Sequence, residues 1–68
     1  MKINRRKLII AMAKASLSTA DIAEKADIPI STIRNARLGR CTSTKAVGKI
    51  ARALGVDVTE IIELEDFQ

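Results

Sequence analysis

Apolar residues along this chain recur every three or four positions, and the every-second-residue alternation of a half-buried strand is missing. That spacing predicts five short helices. The first runs from about Asn4 to Ala15. Asn4 caps it, Leu8, Ala11, Met12 and Ala15 share one face, and Ile9 and Ile10 widen that face, with one of the two expected to be half exposed. The second runs from about Thr19 to Ala26 behind the cap Ser18, with Asp21 placed for a capping box and Ile22, Ala23 and Ala26 inward. Asp27 then supplies the left-handed turn that ends it. The third runs from Pro29 or Ile30 to Leu38. Ile33 and Ala36 face the core, Ile30, Ser31, Arg34 and Asn35 lie opposite, and Gly39 ends it. The fourth runs from about Thr44 to Leu54, with Val47, Ile50, Ala51 and Leu54 at helical spacing and Gly55 as its stop. The fifth begins with the capping sequence Asp57-Val58-Thr59-Glu60 and carries Ile61, Ile62 and Leu64. Residues 65–68 are expected to be a loose tail. The expectation is one all-α domain over residues 1–68.

Composition sharpens this by exclusion. A chain of 68 residues holds one small core. Histidine is absent and Cys41 is the one cysteine, which excludes a disulfide framework, a four-ligand zinc site and any histidine-based triad. No glycine-rich loop is available to cradle a phosphate. Enzyme activity, a metal and a cofactor are therefore not expected. Phe67 is the one aromatic residue, so a base-stacking platform is excluded too. The apolar run Leu8–Ala13, behind a basic start, is six residues long, short of the ~7–15 of a secretion signal. No run approaches the ~20 apolar residues of a membrane span.

Charge adds direction. All 12 lysines and arginines lie within residues 1–52 against three acids, a net +9, whereas residues 53–68 carry five acids and no base, a net −5. Between Ile28 and Val56 stand six bases and no acid. Such a field favours a polyanion, nucleic acid before an anionic membrane.

Residues 18–38 join a capped helix, a turn at Asp27-Ile28-Pro29 and a second short helix. Small Ala23 permits close crossing, and Ile28 and Ile33 pin the second helix with its other face outward. This is the grammar of a helix-turn-helix. The stretch from Leu17-Ser18-Thr19 through Ile22-Ala23, Asp27-Ile28-Pro29 and Ser31-Thr32-Ile33 resembles the core of the lambda-repressor-like family, the phage repressor and Cro type regulators. Lys49-Ile50-Ala51-Arg52-Ala53-Leu54-Gly55-Val56 is similar to that family's fourth helix, so the resemblance covers residues 4–64. It implies a five-helix domain whose third helix enters the major groove, and a homodimer, at least on DNA, reading a palindromic operator. By position it implies base contacts from Ile30, Ser31, Thr32 and Asn35, and phosphate contacts from Thr19 and from Arg40, Thr42 and Ser43. Asp27 and Ser16 stand where the family commonly has glycine. Met12 and Arg37 stand where it has an ion pair, which leaves Arg37 for a phosphate.

The residue chemistry points the same way. Asn35 suits adenine bidentately, Ile30 suits a thymine methyl, and Arg34 reaches a guanine edge or a phosphate. Free N–H groups near Thr19 would seat a phosphate. Ile61, Ile62, Leu64 and Phe67 are expected to form a dimer interface. The expectation is a sequence-specific double-stranded DNA-binding regulator, a small repressor in the cytoplasm of a prokaryote or a phage-infected host. The alternative is an antitoxin-like or anti-repressor-target module that binds a protein through those same apolar residues.

Overall fold

A computed structural model describes residues 1–63. Four α-helices follow in order: α1 (Arg5–Ala15), α2 (Thr19–Ala26), α3 (Ile30–Arg37) and α4 (Thr44–Leu54). A 3-10 turn, Val58–Glu60, comes after them. The described residues are helical and contain no strand beyond two isolated bridges.

Each start is set by a local cap. The Asn4 side chain accepts from the Lys7 N–H, Ser18 and Asp21 form a reciprocal capping box, and Ser43 accepts from the Ala46 N–H. Pro29 opens α3 without a side-chain cap, suited by its missing N–H. The ends share one geometry. After each helix a residue with positive φ (Ser16, Asp27, Gly39, Gly55) turns the chain, and the next residue's N–H reaches back to a carbonyl in the last turn. Ser16 and Asp27 hold φ 56° without being glycine. Three of the residues following these turns, Leu17, Ile28 and Val56, pack on the core. The fourth is Arg40, which is exposed.

The core is one cluster. Leu8 and Ala11 of α1, Ile22 and Ala23 of α2, Ile33 and Ala36 of α3, and Val47, Ile50, Ala51 and Leu54 of α4 meet in it. Small Ala23 is buried on α2, the helix that packs against both α3 and α4. Ile3, Ala53, Ile61 and Ile62 complete it.

Three expectations are corrected. The fifth helix is a single 3-10 turn: the Asp57–Glu60 capping box is present, but backbone at Ile61 (φ −124°) leaves the helical region and Ile62 instead bridges to Ile3. Ile61 and Ile62 are fully buried within the chain's own core, so their side chains are not a dimer interface; Leu64 and Phe67 lie outside the described residues. Both Ile9 (49% exposed) and Ile10 (55% exposed) face outward, because Leu8 and Ala11 already fill the inward stripe of α1. The N-terminal segment is a feature the pattern did not predict. Lys2 bridges to Cys41 and Ile3 to Ile62, the Asn4 N–H donates to the Ile61 carbonyl (2.7 Å), and the Glu63 N–H donates to the Lys2 carbonyl (2.9 Å). Residues 1–4 thus lie between the α3–α4 loop and the end of the described chain.

Candidate nucleic-acid interface

Ile33 and Ala36 are buried, so helical spacing turns the other side of α3 outward. Ser31 and Arg34 are exposed there, Ile30 is 36% exposed, and Thr32 and Asn35 are half-buried at the margins. Polar groups of three chemistries therefore lie on this side of α3: a hydroxyl, a guanidinium and a carboxamide. An α-helix of this kind fits a major groove, whose floor offers matching donors and acceptors.

The start of α2 stands beside this face. The Arg37 guanidinium donates to the Thr19 hydroxyl at 3.1 Å, linking the end of α3 to the start of α2. No acid on α1 competes, since Met12 stands where the resemblance places one partner of an ion pair. The first turn of α2 is less open than expected. The Asp21 N–H is taken by the Ser18 hydroxyl, and the Asp21 carboxylate accepts from the Ser18 N–H. The Ser18 N–H, and then its hydroxyl, hold that carboxyl below the usual aspartate range. A negative charge thus sits at this helix start, and the exposed Arg37 guanidinium stands beside it on Thr19.

The loop after α3 carries the other group. Gly39, at φ 80°, turns the chain, a conformation that costs a residue with a Cβ. Its N–H donates to the Ala36 carbonyl (3.1 Å), and the Arg40 N–H donates to the Asn35 carbonyl (3.0 Å). The turn brings the Arg40 side chain back as well, with Nη1 donating to Asn35 Oδ1 at 3.3 Å. Ser43 is exposed, and its oxygen accepts from the Ala46 N–H (3.2 Å), leaving its O–H to donate outward. Thr42 departs from expectation. It is only 9% exposed, its hydroxyl turns to the Arg40 carbonyl (3.4 Å), and its N–H is taken by the Met1 carbonyl (2.7 Å). The Met1 ammonium donates to the Thr42 carbonyl (2.8 Å). Thr42 therefore fastens the loop rather than presenting a donor to a ligand.

The structure thus joins Arg37 to Thr19 and Arg40 to Asn35, pairings that spacing alone does not reveal. The glycine before Arg40 was the usable signal for the second, since glycine at a helix end folds the next residue back. Beside the face, a groove is lined by Ile9 and Leu38 (63% exposed) with Arg5, Arg34 and Arg37. No helix of the described residues is long and apolar enough to cross a membrane.

Comparison with known proteins agrees with this geometry. A family model described as helix-turn-helix matches residues 8–61, and the chain belongs to that family, the Cro/C1 type that includes lambda-repressor-like domains. No curated protein matches the sequence. Among solved structures, a variant of hydroxyethylphosphonate dioxygenase is similar over 93% of this chain, with 24% identity and a TM-score of 0.79. The chain spans 14% of that protein's length, and the likeness is one of fold.

Proposed function

We propose that this chain is a sequence-specific, double-stranded DNA-binding transcription regulator that acts as a small repressor, occupying an operator and excluding polymerase. The observation that carries it is the outer face of α3: Ser31 and Arg34 are exposed and Asn35 is half-buried at its margin, on a helix whose Ile33 and Ala36 are buried, with the exposed Arg37 and Arg40 at its C-terminal end. Membership of the helix-turn-helix family supports the DNA-binding part of this reading. In it, Ile30, Ser31, Thr32, Arg34 and Asn35 meet base edges. Thr19 with Arg37, and Arg40 with Ser43, grip phosphates on either side and fix the register. The chain acts as a homodimer on a two-fold operator, because one domain covers one half-site and paired half-sites lie about 34 Å apart.

The test is duplex binding against salt concentration. A dimer that neutralises about six to eight phosphates gives a log–log slope between about −5 and −7. A slope near zero rejects DNA as the ligand.

A further inference from the structure

Resting on the DNA-binding function proposed above, the geometry points to Arg40 as the residue that positions Asn35 for base recognition, and so as a determinant of sequence preference as well as a phosphate contact. Arg40 is held over Asn35 twice. Its N–H donates to the Asn35 carbonyl (3.0 Å), and its guanidinium Nη1 donates to the Asn35 side-chain oxygen (3.3 Å). The first bond follows from the helix-ending turn at Gly39 (φ 80°). The equivalent residues after α1, α2 and α4 are Leu17, Ile28 and Val56, each packed on the core. Only after α3 is this place taken by a charged, exposed residue, and it lies against the one carboxamide of the outer face.

The chemistry of the pair fixes the amide. A guanidinium has only donors, so the atom of Asn35 that meets it is the oxygen. The Nδ2 group is then directed away from Arg40 with both N–H donors unspent. The oxygen keeps one lone pair. A carboxamide in that state offers a donor and an acceptor side by side, the pattern that matches N7 and N6–H of adenine. The flipped amide would offer these in reversed order. Arg40 has further N–H donors for a phosphate, so one side chain couples backbone register to base choice. Thr42, whose hydroxyl reaches the Arg40 carbonyl, and Met1, bonded to Thr42 through both backbone groups, keep this loop in place.

The experiment selects bound duplexes from a random pool, then measures the affinity of every single-base variant of the best site for four proteins: wild type, Asn35→Ala, Arg40→Ala and Arg40→Gln. Asn35→Ala should erase a preference of roughly 5- to 150-fold at one base pair. Arg40→Ala should reduce the preference at that same pair severalfold and also flatten the salt slope by about one per site. Arg40→Gln, which removes the charge and places its N–H donors two bonds short of Nη1, should flatten the slope and reduce the preference as Arg40→Ala does. In the free protein, Arg40→Ala should shift the Asn35 side-chain amide resonances. The inference is overturned if Arg40→Ala weakens all duplexes alike and leaves the Asn35-dependent preference intact, or if those resonances do not move. Failure of wild type to bind any duplex rejects the proposed function itself, which separates the two.

Discussion

Asn35 is the residue on which base choice turns in this account, since its carboxamide stands on the outer face of α3 at the margin of the core. Asn35→Ala is expected to cost roughly 1–3 kcal/mol on the preferred duplex and far less on unrelated sequences. Competition binding with single-base variants reads that difference directly. Ser16 and Asp27 act on stability instead. Both hold φ 56°, where a Cβ is crowded, and Asp27 also places a negative charge at the C-terminal end of α2. Asp27→Gly should therefore raise stability by about 1 kcal/mol, seen as a higher urea midpoint. The capping carboxylates give a pH dependence. Asp57 is held below the usual aspartate range by the Thr59 N–H and then by its hydroxyl, as Asp21 is by Ser18. A carboxyl whose pKa is lowered on folding contributes its stability in full above the ordinary aspartate range, and loses it as pH falls through the lowered value. Asp57→Asn should make thermal stability fall less steeply on acidification; an unchanged acid limb would count against the cap.

At the scale of elements, the four helices and the helix-turn-helix were legible in the sequence because each carries its own start, stripe and stop. Ser18 with Asp21, the inward Ile22 and Ala23, and the turn at Asp27 are all local signals. The N-terminal strap was not legible, since pairing of Ile3 with Ile62 and Lys2 with Cys41 is non-local and leaves no periodic trace. The same non-local pairing decides the place of Ile61 and Ile62. Their cap suggested a helix with a free apolar side, whereas they close the core against Ile3 and the helices. Ile62→Ala should accordingly cost about 2–5 kcal/mol. That loss should be the same at low and high protein concentration. A loss that grows on dilution would return Ile62 to an interface between chains. The outer face of α3 was legible as residue types but not as pairs. Arg37 on Thr19 and Arg40 on Asn35 depend on the crossing of α2 and α3 and on the turn at Gly39.

Over the whole molecule, the charge lies as the proposed function needs it. The first 52 residues carry net +9, and the bases that flank α3 belong to that part. The described residues extend 31 Å in their longest direction and 18 Å in their shortest, enough to cover one half-site but not two about 34 Å apart. Such a field speeds encounter with a polyanion and weakens with salt; in the proposed function, sorting of the sequences encountered falls to Asn35 and its neighbours on α3. The most direct test of this arrangement is to titrate isotope-labelled chain with its best selected duplex and map the backbone amide shifts. The largest changes are expected along Ile30–Arg37, at Thr19 and from Arg40 to Ser43, with α4 and the buried Ile61–Ile62 little affected. Changes centred on α4 or on the outward Ile9 and Ile10, with Ile30–Arg37 silent, would contradict this arrangement.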